Sequence, residues 1–357
     1  MRVLITGGAG FVGSSVALSL ARSGHEVTVL DNGRREGTAF NLARLRAAQV
    51  RCLHGDVRVM ADIEAAGKVD LIIDASAEPS VHYGYGGDPR YLIDTNLLGT
   101  VHCLEWARRC ESAFLLLSTS RVNPMAGLRA LPLIEQTSRF ELAADVAARG
   151  LTWQGIDHDF PLEGARSMYG ATKLASELLV QEYVAMYGVR SQILRCGVIA
   201  GPWQMGKVDQ GFLALWVAAH LFGFHLKYSG FQGSGKQVRD VLHVDDLCEL
   251  VQVLIAQAQW GQKRLTYCVG GGRTSNVSLL ELTALCEEIT GKRIAMGTDP
   301  ETRAADIPFF VTDHQCVSVD TGWRPQRDIR GIVRDTAGWI TEHREPLSAF
   351  FVPAHAR

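Results

Sequence analysis

Val3-Leu4-Ile5-Thr6-Gly7-Gly8-Ala9-Gly10-Phe11-Val12-Gly13 is the stretch that decides the fold of this 357-residue chain. An apolar run that reads as a strand comes first. Gly7, Gly10 and Gly13 follow in G-x-x-G-x-x-G spacing, and a helical pattern then runs over residues 11–22. Glycine lets the backbone turn sharply and approach a pyrophosphate, whose charge sits at the helix N-terminus. Alone, the pattern also fits a turn that joins strand to helix for packing. Its place after an opening strand points to a dinucleotide site.

Outward from this turn, short β-branched runs alternate with helical segments. Residues 3–6, 26–30, 50–53, 71–74, 114–118 and 191–195 read as strands, and 11–22, 41–48, 95–109 and 167–187 as helices. Near-continuous apolar strands in strict alternation with helices imply an α/β fold: a Rossmann-type doubly wound parallel sheet covered on both faces. The expected organisation is a dinucleotide-binding domain over 1–200, to which 238–270 returns. A smaller C-terminal α/β substrate-binding domain takes 201–237 and 271–357. The 123–164 stretch is long for a connection and shows two short helical patterns.

Bulk composition narrows the function. A formal net charge of -2 offers no polybasic face for nucleic acid or anionic lipid, so neither nucleic acid nor membrane is an expected partner. The 8 cysteines include no C-x-x-C pair, so no metal site is expected. Scattered thiols without a secretory signal suit a cytoplasmic protein. The apolar stretch 211–224 is too short to span a bilayer and carries His220, which favours a core helix.

Asp31 ends the second strand near the roughly 20-residue spacing expected of the acid that binds the adenosine ribose. A carboxylate there favours NAD over NADP. Arg34 and Arg35 leave a 2′-phosphate open, and a plain turn aspartate in Asp31-Asn32-Gly33 is the bland alternative. Asp56 ends the third strand, where an adenine amino group would lie, although it could simply cap a helix. Tyr169-Gly170-Ala171-Thr172-Lys173 puts a phenol and an ammonium on one helix face. A phenol acting as base at neutral pH needs a shift of about 3 units, or ~4 kcal/mol, which a close lysine and a positive nicotinamide ring can supply. Ser118-Thr119-Ser120 ends a strand, where a hydroxyl can hold the reacting oxygen.

With these residues in place the chain resembles the extended short-chain dehydrogenase/reductases of the NAD-dependent epimerase/dehydratase kind. Asp74-Ala75-Ser76-Ala77, the Asn96-Leu97-Leu98-Gly99-Thr100 motif, Arg239-Asp240-Val241-Leu242-His243-Val244-Asp245-Asp246 and Arg303-Ala304-Ala305-Asp306-Ile307-Pro308 all match that family's segments. Within it, the chain is most similar to the CDP-paratose (CDP-tyvelose) 2-epimerases. That likeness rests on Lys207-Val208-Asp209-Gln210-Gly211, on Gly235-Lys236-Gln237-Val238-Arg239-Asp240 and on the insertion before Tyr169. Asn123 stands where the family usually has tyrosine.

The resemblance implies NAD as cofactor, a nucleotide-diphosphate sugar as substrate, and a homodimer paired through the helices at 95–109 and 167–187. The expected catalytic residues are Thr119, Tyr169 and Lys173. Expected cofactor contacts are Gly7, Gly10, Phe11, Val12, Gly13, Asp31, Asn32, Gly33, Asp56, Val57, Ala75, Ser76, Ala77, Asn96, Ser118, Tyr169, Lys173, Cys196 and Val198. Expected substrate contacts are Pro79, Ser80, Thr119, Gln204, Asp209, Gln210, Gln237, Arg239 and Arg303, with the two arginines at the diphosphate. Gln204, Asp209 and Gln210 also read as ordinary loop polars, and Cys196 as packing. The activity implied is epimerisation through a transient keto-sugar. A 4-epimerase, a decarboxylase, a 4,6-dehydratase, a net reductase and a non-catalytic NAD-binding regulator are the alternatives. Dehydratases of the family carry an acidic pair directly after the catalytic threonine, where this chain has Ser120 and Arg121.

Overall fold

A computed structural model describes residues 1–207 and 210–352. Its centre is a seven-stranded sheet in the order Thr266–Val269, Ser191–Cys196, Ala113–Thr119, Leu71–Asp74, Arg2–Thr6, Glu26–Asp31 and Arg51–His54. Every neighbouring pair runs parallel. The fold is the expected Rossmann-type doubly wound α/β sheet. Strand order reverses beside Arg2–Thr6, and such a switch point opens a crevice at the carboxyl ends of the strands.

Both sheet faces are covered, which explains the unbroken apolar strands. On one face, Val16, Ala17 and Leu20 of the helix Phe11–Arg22 share a core with Leu247, Leu250 and Val251 of Val244–Gln257. On the other, Cys103, Leu104 and Ala107 of Gly99–Cys110 meet Val180 of Met168–Tyr187. Ser167 caps that long helix by accepting the Gly170 amide at 3.2 Å, and Gly188 ends it at φ +68°. The helix expected over 95–109 begins differently: Asp94–Leu98 form a π turn before the regular helix.

A smaller sheet joins Val198–Ala200, Val238–His243 and Asn276–Ser278, with Phe309–Phe310 beside the middle strand. Thus Val238–His243 lies in the small sheet, while Val244–Gln257 and Thr266–Val269 return to the large one. The apolar stretch at 211–224 is the helix Phe212–Phe222, buried against Ile332, Val333 and Ile340. No helix among the described residues is long and apolar enough to cross a membrane.

The 123–164 insertion departs from expectation. It holds one short helix, Met125–Arg129, a hairpin of Leu133–Glu135 with Phe140–Leu142, and a three-stranded ribbon over 147–156. Strands of two or three residues carry too little alternation to read. Leu128, Leu142, Ile156 and Phe160 pack against Val238, Ile307 and Phe309, so the insertion is cored with the small sheet.

Candidate active site

At the switch point, Gly7 turns at φ +66°, and a Cβ there would meet the Ala75 carbonyl at 2.7 Å. A Cβ on Gly13 would lie 2.3 Å from the Gly7 carbonyl oxygen. The helix therefore starts closer to the strand than any side chain permits, and its first amides face an open cavity. Beneath the turn, buried Asp74 accepts from Thr6 Oγ1 at 2.9 Å, Ser76 Oγ at 2.6 Å and Thr100 Oγ1 at 2.7 Å. This knot ties the first and fourth strands to the helix Gly99–Cys110, and so fixes the crevice.

The cavity measures about 460 Å³. Gly7, Gly10, Phe11, Val12, Gly13, Asp31, Asn32, Val57, Ala75, Ser76, Ala77 and Pro79 form much of its wall. Asp31 accepts the Ala9 amide at 3.0 Å and the Gly33 amide at 2.9 Å, which aims its carboxylate. Burial raises its pKa, and the amides of Gly33, Ala9 and Gly10 oppose the rise. Asp56 sits just off the wall. It accepts from Asn32 Nδ2 at 3.0 Å and from Arg58, whose guanidinium holds it well below the usual carboxylate range. Asn96 is a brace: it accepts the Glu78 amide at 2.8 Å and donates to the Glu78 carbonyl at 3.1 Å, fixing the segment after Ala77.

Two buried acceptors on this wall, Thr95 Oγ1 and Gln204 Oε1, have no protein partner among the described residues. A buried polar atom without a partner is costly unless a ligand satisfies it. With the glycine cradle and the aimed Asp31, they make the cavity a fit for the adenosine and pyrophosphate of a dinucleotide. The π turn delivers Thr95, which is why the sequence pattern missed it.

Gln204 and Gln210, expected at the substrate, line this same cavity, as does Pro79. Gln210 accepts from Arg35, Lys207 Nζ meets Glu36 at 3.2 Å, and Arg44 lies over the Trp203 ring at 4.0 Å. The segment after Ala200 thereby folds over the adenosine end. Arg34 stacks on Tyr91 at 3.7 Å. Asp209 lies outside the described residues.

Thr119, Tyr169 and Lys173 stand beyond this wall. The Thr119 hydroxyl faces the Tyr169 phenol. Burial raises the phenol's pKa, Thr119 opposes the rise, and Cys196 adds to it while Arg121 offsets a little. Lys173 is 2% exposed. Burial depresses its pKa, and Asp74, then Cys196, Glu177 and Cys103, oppose the fall. Cys196 is pushed up to about 12 by burial, so its thiol is a packing group. Ser118 donates to Glu177, which is paired to Arg195 at 2.7 Å, so its hydroxyl serves the helix that carries Tyr169 and Lys173. Val198 packs towards the smaller core.

Arg239 borders Arg121 and Asp306 and donates to the Ile307 carbonyl at 2.8 Å. Burial, then the charge of Arg121, lowers its pKa to about 9. A bound anion would relieve both effects. The Arg303 amide reaches Asp306 at 3.3 Å, and Arg129 donates to the Arg303 carbonyl at 3.1 Å. Gln237 donates to the Ser229 carbonyl at 3.0 Å and keeps an unpartnered buried Oε1. Ser80 accepts the His82 amide at 3.3 Å. Neither Arg121 nor Arg129 was singled out in sequence as a contact, because no motif covers them.

The chain matches known proteins over nearly its whole length. It is 26% identical to CDP-paratose 2-epimerase from Salmonella typhi, over 96% of this chain and 99% of that one. It is 30% identical to dTDP-glucose 4,6-dehydratase from Mycobacterium tuberculosis, over 96% of this chain and 94% of the relative. The crystal structure of DesIV, a dTDP-glucose 4,6-dehydratase from Streptomyces venezuelae with NAD bound, superposes with a TM-score of 0.76 at 27% identity, covering 97% of this chain and 100% of that one. Residues 3–270 match the model of the NAD dependent epimerase/dehydratase family, and the chain belongs to that family, with NAD as its cofactor.

Proposed function

We propose that this enzyme epimerises a nucleotide-diphosphate sugar, a CDP-sugar inverted at C2, without net consumption of NAD. The observation that carries this reading is the surroundings of the Tyr169 phenol. Among the described residues, the groups that act electrostatically on it are the Thr119 hydroxyl, the Cys196 thiol and the Arg121 guanidinium, none of them a carboxylic acid, and the two residues directly after Thr119 are Ser120 and Arg121. A 4,6-elimination needs an acid to protonate the departing hydroxyl. Simple oxidation and reduction at one ring carbon need only a base that takes and returns the hydroxyl proton.

Bound NAD, held by the Gly7–Gly13 turn and Asp31, would supply a reversible hydride acceptor at the sugar carbon. The chain does the rest. Tyr169, deprotonated, takes the hydroxyl proton, and Thr119 holds the same oxygen. Lys173, one turn further along the helix, would hold the nicotinamide ribose. Arg239, with Arg303, holds the diphosphate by charge-assisted bonds. That anchor leaves the sugar ring free to turn its other face before Tyr169 returns the proton. Gln237, with an acceptor to spare, contacts the sugar or its nucleotide. A second copy packs along the helices Gly99–Cys110 and Met168–Tyr187, where Leu178 is 53% and Met186 65% exposed; analytical ultracentrifugation reads that dimer.

The deciding experiment incubates the enzyme with CDP-, UDP-, dTDP- and GDP-linked hexoses and identifies products by NMR and mass. Epimerisation predicts a product of unchanged mass from a CDP-sugar and no stoichiometric NADH. Loss of water, loss of carbon dioxide or one NADH per turnover would each replace this reading with another.

A further inference from the structure

The stretch 303–308 lies outside any helix or strand, yet each of its carbonyls accepts a hydrogen bond. The Val238 amide donates to the Pro308 carbonyl at 2.9 Å, Arg239 to that of Ile307 at 2.8 Å, and Arg121 to that of Ala305 at 3.1 Å. Arg129 supplies the rest. Its Nη2 donates to the Arg303 and Ala304 carbonyls at 3.1 and 2.8 Å, and its Nε to the Asp306 carbonyl at 3.0 Å. A planar guanidinium carries its donors in a fixed fork, so one side chain can hold the carbonyls on both sides of a turn. Within that turn the Asp306 amide donates to the Arg303 carbonyl at 3.1 Å, and the Arg303 amide to Asp306 Oδ2 at 3.3 Å. Among the described residues the Arg303 guanidinium makes no hydrogen bond or ion pair of its own.

Arg129 reaches the turn from a fixed base. It ends the helix Met125–Arg129, early in the 123–164 insertion, and its neighbour Leu128 is buried with Ile307 and Phe309. A Cβ on Gly127 would meet the Phe160 ring at 3.3 Å, so the same helix also packs on the later part of the insertion. Helix and turn thus share one core, which keeps the guanidinium in register with carbonyls 174 residues away in the chain.

We propose that Arg129 is a positioning residue for the substrate: by bonding the Arg303, Ala304 and Asp306 carbonyls it keeps the turn in the shape that presents Arg303 to the substrate diphosphate. The insertion then has a role, bracing the anion site from outside. The proposal rests on the reading of Arg303 as a diphosphate contact. A turn that is already ordered gives up less conformational freedom when the ligand arrives, so releasing it weakens binding more than it slows chemistry.

The test is calorimetric titration of the NAD-loaded enzyme with CDP, UDP, dTDP and GDP in wild type, Arg129→Ala, Arg129→Lys, Arg303→Ala and the double variant Arg129→Ala/Arg303→Ala. For the diphosphate that wild type binds best, Arg129→Ala should raise Kd about tenfold. The double variant should bind no more weakly than Arg303→Ala alone, and NAD affinity should not move. Lysine keeps the charge but carries its donors on one nitrogen, so Arg129→Lys should lose most of what alanine loses. Amide hydrogen exchange over 301–307 should quicken in Arg129→Ala, and Arg129→Gln replaces that variant if it does not bind NAD. An unchanged Kd, full rescue by lysine, additive losses in the double variant, or a wild type that binds none of these diphosphates each overturns the proposal. If the affinities move as expected but no nucleotide sugar is epimerised, the proposal stands and the epimerase reading fails.

Discussion

Replacing Glu177 by glutamine tests how the catalytic helix is held. Its carboxylate is fully buried, takes three contacts from Arg195 at 2.7–3.1 Å, and accepts from Ser118. Arg195 also donates to the His158 carbonyl at 3.2 Å and is only 7% exposed in its side chain. Removing one member of a buried pair leaves the other charge desolvated, which costs about 3–5 kcal/mol. Glutamine keeps the shape but turns an amide donor towards a guanidinium that can only donate. A melting shift of roughly 1–2 °C per kcal/mol for a chain of this length places the loss on the order of 5 °C. Scanning fluorimetry at one fixed scan rate measures it. Because Glu177 lies one turn beyond Lys173, turnover should fall as well. A variant that melts within about 2 °C of wild type would refute the reasoning, since the pair would then contribute no more than an exposed one.

Other perturbations test the cofactor site and the buried small sheet. Gly13→Ala puts a methyl 2.3 Å from the Gly7 carbonyl, so calorimetry should show NAD binding weakened at least about tenfold, ~1.4 kcal/mol; an unchanged Kd contradicts the cradle. Asp31→Ser removes the carboxylate that repels a 2′-phosphate and should narrow the preference for NAD over NADP, read from the two Kd values. Asp240 is pushed up to about 6 by burial, so the folded state keeps its proton to higher pH than the unfolded chain does. Its contribution to stability is full below about pH 4 and is lost as pH rises through 6. Asp240→Asn stays neutral, and its stability advantage over wild type should grow from pH 5 to pH 8 by roughly 1.4 kcal/mol. A gap that does not change with pH contradicts the burial of a charged form.

The fold was legible because its signals are local. Gly7, Gly10 and Gly13 follow an apolar strand, and later strands such as Leu71–Asp74 and Ala113–Thr119 are largely apolar, as a parallel sheet buried on both faces requires. The Tyr169–Lys173 pair was legible for the same reason, since one helical turn fixes its spacing. What escaped the sequence depends on long-range placement. Thr95 reaches the cavity only through a π turn that no side-chain pattern encodes. Gln204 and Gln210 reach the cavity wall because Trp203 docks on Arg44, more than 150 residues earlier in the chain. The ribbon over 147–156 is made of two-residue strands that gain their stability from Ile307 and Phe309 rather than from their own alternation.

The most direct test of the account follows one atom. A CDP-sugar carrying deuterium on the carbon to be inverted is converted in ordinary water with catalytic NAD, and the product is analysed by NMR. If Tyr169 handles only the hydroxyl proton and the same hydrogen returns to the opposite face, the deuterium stays on that carbon in the epimer. Deuterium washed out into solvent would mean that a carbon-bound proton is removed by a base, and the chemistry built on Tyr169, Thr119 and Lys173 would be contradicted.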